Sequence, residues 1–199
     1  MDKLGVPSEV LGEIPGNIYL VGLMGAGKTS VGRVLAKRLN KSFFDSDHEI
    51  ERRTGVRVPV IFEIEGEPGF RRREAAVLGE LVRKCNIVLA TGGGAVLDSG
   101  TRHALHSTGT VIYLRAEPNE LWLRTRRDRN RPLLRRENPL GYLIELRNAR
   151  DPLYCETAHL IVDTGAQTIR NLVGRIERDL RAYFMRPKCD ISAHDLPAT

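Results

Sequence analysis

The stretch GLMGAGKT, Gly22 to Thr29, decides how the rest of the chain is read. It has the form G-x-x-x-x-G-K-[ST], a pattern that carries weight when a strand precedes it and a helix follows. Here the apolar run NIYLVG (17–22) reads as the strand and Lys28 to Leu39 as the helix. Glycines let the backbone wrap closely round phosphates with its N–H groups turned inward. The helix N-terminus adds partial positive charge at the same place. On this reading Lys28 reaches the β- and γ-phosphates of a nucleoside triphosphate, and the Thr29 hydroxyl sits on Mg2+. A glycine-rich turn that binds nothing is the plain alternative. The motif is silent on what receives the phosphate.

Working outward, short apolar strands alternate with helical stretches, as in a parallel α/β sheet. Further strands are read at SFF (42–44), NIVLA (86–90), TVIYLR (110–115) and LIVD (160–163). Several are nearly continuous apolar runs, as strands covered on both faces should be. Helices are predicted over Gly69 to Lys84, Ser99 to His106, Pro118 to Arg127 and Thr168 to Tyr183. TGAQ (164–167) has the Thr-x-x-Gln form of a capping box before the last of these. Two stretches resist the alternation. Asp47 to Phe70 is helical in patches, with Gly55, Gly66 and Gly69 as breaks, and 124–138 is rich in arginine. Irregular or highly charged insertions in such sheets are where substrate sites and lids tend to be. A single domain is expected over 16–185. Residues 1–15 and 186–199 are expected to be disordered ends.

A chain of 199 residues is long enough for one domain with a proper core. No apolar run approaches the roughly 20 residues that cross a bilayer, and the N-terminus lacks a basic-then-apolar secretory pattern. Cys85, Cys155 and Cys189 show no metal-ligand spacing and read as free thiols of a reducing compartment. A soluble, cytoplasmic protein is the expectation. The net charge of +6 comes mainly from arginine, and seven arginines lie in RTRRDRNRPLLRR (124–136). No aromatic residue interrupts that run, so it offers no base-stacking surface. Neither a nucleic-acid nor a membrane partner is expected, and small anionic ligands suit the charge equally well.

A kinase for a small molecule needs a carboxylate to organise Mg2+, a group to orient or deprotonate the acceptor, and anchors for the acceptor's charges. FFDSD (43–47) places Asp45 and Asp47 at the C-terminal end of the second strand, the edge where open α/β sheets bind ligands. Read as extended chain, the two share a face, with Asp45 toward the metal and Asp47 further out toward an acceptor hydroxyl. Without the phosphate loop they would read as a solvated acidic turn. In GFRRRE (69–74) successive arginines on a helix point about 100° apart, so at most one or two serve one ligand. Arg71 is the candidate, with Arg72 and Arg73 facing solvent or pairing with Glu74; on its own, Arg71 would read as a surface charge. ATGGGAV (90–96) ends the third strand in three glycines, a backbone open to close approach by a ligand.

Taken in order, GLMGAGKTSVGR, FFDSDHEIE, FEIEGEPGFRRRE, LATGGGAV, RPLL and RDPLY resemble the shikimate kinase family over roughly residues 17 to 183. The resemblance implies an α/β P-loop NTPase fold like that of the nucleoside monophosphate kinases, a five-stranded parallel sheet in order 2-3-1-4-5 flanked by helices. It implies a monomer that uses ATP and Mg2+ to phosphorylate the 3-hydroxyl of shikimate, on the way to chorismate and the aromatic amino acids. It implies that Lys28 and the backbone of Gly25, Ala26, Gly27, Thr29 and Ser30 hold the phosphates. Thr29 would take the metal, and Asp45 would support it through water. Asp47 would bind ring hydroxyls and orient or deprotonate the attacking oxygen. Arg71 and Arg150 would clamp the shikimate carboxylate, with Gly92, Gly93 and Gly94 against the ring. Arg131 of RPLL would belong to a mobile lid, about 124–138, that closes over ATP and steadies the transferring phosphoryl. Arg124 and Gln167 fall where the family meets the adenine end. One departure is Asp151, an acid beside Arg150 and placed to pair with it.

Rival readings differ in the acceptor. A nucleoside monophosphate kinase would need anchors for a base and a second phosphate. A gluconate kinase also takes a hydroxylated acid and is set aside mainly by FEIEGEPGFR. A sensing module that has lost catalysis should lack Lys28, Asp47 or Arg131, and the chain keeps all three.

Overall fold

A computed structural model of the chain describes residues 14–126 and 137–185. Its five strands are β1 (Asn17–Val21), β2 (Ser42–Asp45), β3 (Ile87–Ala90), β4 (Gly109–Arg115) and β5 (Leu160–Asp163). They pair in parallel as one sheet in the order β2-β3-β1-β4-β5, as the family resemblance implies. β1 and β3 are buried at every position, which is why their sequences, apart from Asn17, run without polar alternation. The edge strands β2 and β5 keep partly exposed residues.

The helices are α1 (Lys28–Arg38), α2 (Ser46–Thr54), α3 (Val58–Leu81), α4 (Ser99–Thr108), α5 (Pro118–Thr125), α6 (Pro139–Thr157) and α7 (Ile169–Met185). Right-handed crossovers put α1, which leads from β1 out to β2, on one face of the sheet. The connections that run back the other way, through α3, α4 and α6, cover the opposite face. The packing agrees, with α1 against α7 and α4 against both α3 and α6. The strand order has a direct consequence for function. It sets the C-terminal ends of β2, β3 and β1 side by side, so the glycine turn after β3 lies between Asp45 and the phosphate loop.

Three local readings need correction. α6 is a helix that the sequence pattern leaves unassigned. Its inward stripe is Leu143, Leu146, Arg150, Tyr154 and Thr157, and Pro152 lies within it, so charge, polarity and a proline blur the apolar period. Its start is nevertheless ordinary, with Asn138 accepting the Gly141 N–H at 2.9 Å and Pro139 in the first turn. Thr168, rather than Thr164, caps α7, accepting the Asn171 N–H at 3.3 Å, while Gln167 turns back to donate to the Asp163 and Thr164 carbonyls. In α3 the break is at Gly66, whose φ of +66° separates two helical halves before Pro68. Gly69 lies inside the second half, where a side chain would press on Glu65.

At the opposite end of the sheet from the phosphate loop, His159 locks β5 to β4. Its Nδ1 accepts the Val111 N–H at 3.0 Å, its own N–H donates to the Val111 carbonyl at 2.8 Å, and its ring stacks on His106 at 4.1 Å. Burial and then the neighbouring His106 hold its pKa below the usual value. The unfolded chain therefore binds more protons just below about pH 6.5, and this contribution to stability is lost as pH falls through that window. Urea midpoints of the protein and of His159→Gln should converge between pH 7.5 and pH 5.5. A gap of constant size would show that His159 does not carry the dependence.

Candidate active site

The phosphate loop closes at Gly27, whose φ of +94° makes it the left-handed N-cap of α1. Lys28 Nζ donates to the carbonyls of Gly22 and Leu23 at 2.7 and 2.8 Å, so its ammonium lies over the loop itself. The Thr29 hydroxyl donates to Asp45 Oδ2 at 2.7 Å. Asp45 Oδ1 accepts the N–H groups of Asp47 and His48 at 3.1 and 3.3 Å, which makes it the N-cap of α2.

This corrects the extended-chain reading of FFDSD. β2 stops at Asp45, and Asp47 is already in the first turn of α2. The two carboxylates therefore do not share a strand face. Asp45 faces the phosphate loop and Asp47 faces the glycine turn. The partial positive charge of the helix N-terminus eases their proximity.

The glycine turn is the floor of the acceptor end. A side chain at Gly92 would come within 2.1 Å of Glu74 Oε1 and 2.9 Å of Asp47 Oδ1, and one at Gly94 would overlie the Arg71 guanidinium at 2.2 Å. Charged groups rest directly on bare backbone at Gly92 and Gly94, so those two positions leave no room for a side chain. Arg71 donates to Glu74 Oε2 at 2.6 Å and to Glu67 at 2.8 Å. Glu74 is thus the partner of Arg71, not of Arg72 or Arg73; Arg73 pairs with Glu65 at 2.7 Å.

Glu74 is a residue that sequence reasoning missed. It is only 2% exposed, and its Oε1 has no hydrogen-bond partner. Burial pushes its pKa up to about 6, with Arg71 opposing the shift and the charge of Asp47 adding to it. The available signal was its i,i+3 spacing from Arg71, the register at which helix side chains meet.

Arg150 reaches the same turn from α6. It is 7% exposed and donates to the Gly93 carbonyl at 3.1 Å. Its neighbour Asp151 turns to β4, where it accepts the Tyr113 hydroxyl at 2.8 Å. The expected ion pair with Arg150 is replaced by that contact. Nearby Cys155 has its thiol pKa raised, by burial first and then by Asp151, so it is no candidate nucleophile.

At the other end, Arg124 donates to Thr164 Oγ1 at 3.2 Å and to the Gly165 carbonyl at 2.7 Å. Gln167 lies beside them. One cavity of about 830 Å³ joins both ends. It is lined by Gly25, Ala26, Gly27, Lys28, Thr29 and Ser30 of the loop, and by Asp45 and Asp47. Arg71, Gly92, Gly93, Gly94, Arg124, Arg150 and Gln167 make up the rest of the predicted set apart from Arg131. Arg131 and most of the predicted lid lie outside the described residues.

The donors fit Mg2+. The Thr29 hydroxyl donates its hydrogen bond to Asp45 and keeps its lone pairs, so a hydroxyl and a carboxylate offer hard oxygen ligands. Mg2+ commonly takes one or two such protein groups, with water and substrate phosphates supplying the rest. Among the described residues no cluster of three or more His, Cys, Asp or Glu forms an all-protein metal cage.

Fold and cavity together define a P-loop phosphotransferase whose acceptor is a small anion. Comparison with known proteins narrows the class. The family model described as "Shikimate kinase" matches residues 24–181. The shikimate kinase of Cupriavidus pinatubonensis is 60% identical over 182 residues, 92% of this chain and 94% of that protein. The one from Burkholderia thailandensis is 59% identical over 160 residues, 80% of this chain and 87% of that protein. A solved structure, shikimate kinase from Acinetobacter baumannii in complex with shikimate, superposes with a TM-score of 0.85 at 49% identity. That match covers 90% of this chain and 100% of the other. The chain belongs to the shikimate kinase family.

Proposed function

We propose that the protein transfers the γ-phosphoryl group of ATP to the 3-hydroxyl of shikimate, giving shikimate 3-phosphate and ADP on the route to chorismate. The observation that carries this is the convergence of Asp47 and two guanidinium groups, Arg71 and Arg150, on one glycine floor facing the phosphate loop. A guanidinium fork suits a carboxylate, and two from different helices fix its orientation. An acid at the same floor suits a hydroxyl.

In this reading Lys28 and the loop N–H groups hold the β- and γ-phosphates. Thr29 directly, and Asp45 through water, would hold Mg2+, which neutralises charge on the phosphate oxygens when bound. Asp47 orients the acceptor hydroxyl and takes its proton. Arg71 and Arg150 grip the carboxylate, while Glu67 and Glu74 keep Arg71 in place. Gly92, Gly93 and Gly94 lie under the ring. Arg124 and Gln167 contact the adenine end, and Arg131 closes over ATP from the lid. Residues 16–185 act as one kinase domain, a monomer of the cytoplasm. Among the described residues no helix is long and apolar enough to cross a membrane.

ADP release with ATP and Mg2+, measured with shikimate, gluconate, AMP and no acceptor, tests the reading. Turnover with shikimate alone is the expected result. Turnover with gluconate or AMP in its place would replace the proposed acceptor. Arg150→Ala should raise the KM for shikimate about thirtyfold or more, the cost of removing one side of a buried charge-assisted contact. The KM for ATP should stay within about twofold, because Arg150 sits on the acceptor side of the glycine turn. Equal changes in both constants would move Arg150 out of the clamp.

A further inference from the structure

Three consecutive glycines have no side chains to hold their own conformation, and glycine backbone is the most permissive there is. The Gly92–Gly94 turn nevertheless supports Asp47, Glu74 and Arg71 at close range; the Ala95 and Leu97 N–H groups bond the Gly92 and Gly94 carbonyls, which leaves the Gly92 N–H and the Gly93 carbonyl to be held from outside. Two buried hydroxyls hold them from opposite sides. Ser46 is 0% exposed, and its Oγ accepts the Gly92 N–H at 2.8 Å. It sits between Asp45 and Asp47 in the chain, so the contact that holds Gly92 also fixes the turn that carries Asp47. Tyr154 is 0% exposed, and its hydroxyl donates to the Gly93 carbonyl, the oxygen that also receives Arg150. A carbonyl has two lone pairs and accepts both.

We infer that Ser46 and Tyr154 are positioning residues for the acceptor, pinning the glycine turn and through it the spacing between Asp47 and Arg150. Tyr154 and Arg150 are four residues apart on α6, one turn of helix, so they approach the same oxygen together. The Tyr154 ring is itself fixed, stacked on Tyr113 at a centroid distance of 4.8 Å. Tyr113 in turn donates to Asp151, which ties α6 to β4. The acceptor's hydroxyl and carboxylate are thus held at a fixed separation by two groups, neither of which needs to touch it.

The inference rests on the reading of this pocket as the shikimate site, and the test separates the two. Steady-state kinetics with shikimate and ATP would be run on the unaltered protein, Ser46→Ala and Tyr154→Phe, with nucleotide affinity measured separately by equilibrium titration of ADP. Tyr154→Phe keeps the ring and its stack and removes only the hydroxyl. Each variant should raise the KM for shikimate about three- to tenfold, the scale of one net hydrogen bond, with ADP affinity within about twofold. A KM for shikimate within about twofold in folded variants would overturn the inference. So would parallel weakening toward both substrates, which marks general loosening. If Ser46→Ala does not fold, Tyr154→Phe decides alone. No shikimate turnover by the unaltered protein would instead overturn the proposed function.

Discussion

Asp47→Ala is expected to lower kcat by about 10²- to 10⁴-fold, the range that a positioned acid–base group contributes, with the affinity for ATP held within about twofold. The separation follows from what each carboxylate touches. Asp45 takes the Thr29 hydroxyl and caps α2, whereas Asp47 lies against Gly92 and Glu74. Removing the Asp47 side chain leaves its backbone N–H on Asp45, so the cap and the metal-side contact survive. A second readout is independent of turnover. Asp47 is one of the charges that push Glu74 up to about 6, so Glu74 should titrate lower in Asp47→Ala. A loss of less than about tenfold in kcat would assign proton transfer and orientation elsewhere.

Lys28→Met is expected to cost about 10²- to 10³-fold in kcat, as for other preorganised charges that meet a developing negative charge, and to weaken ATP as well. Its imprint is the reverse of that at the acceptor end. The ammonium donates to two loop carbonyls, Gly22 and Leu23, and Met keeps a similar stem, so the loop fold should persist. The affinity for shikimate measured by equilibrium titration should not move. A variant that binds ATP normally and turns over normally would remove Lys28 from phosphate transfer.

Much of the fold was legible because its signals are local. The strand before Gly22 and the helix after Lys28 are each a run of residues with one preference, and the buried central strands are plain apolar words. The site was legible where a side chain's type pointed to one place, as with Lys28, Thr29 and Asp47, which all line the cavity. It failed where a neighbour from another element decided the outcome. Asp45 and Asp47 look like strand residues until the carboxylate of Asp45 turns out to start a helix. Glu74 looks like one more charge on an exposed face, and only α3 packing over the glycine turn makes it a buried acid. Tyr154 and Arg150 share an oxygen that belongs to residue 93, a relation no spacing within RDPLY can encode. α6 escaped because its inward stripe includes an arginine and a tyrosine, Arg150 and Tyr154, which break the apolar period.

The bare floor also limits how the selectivity of this enzyme can be altered. At Gly92 and Gly94 any side chain would occupy space already filled by Glu74, Asp47 or Arg71, so a mutation there removes the site instead of reshaping it. Freedom lies at the rim, where Val58, Pro59 and Phe62 line the same cavity without carrying charge. On the proposed reading, variation in those walls admits or refuses bulk on the acceptor, while the groups that meet its hydroxyl and carboxylate stay constant. Libraries aimed at new acceptor acids should therefore be drawn from the start of α3 and leave the turn after β3 untouched.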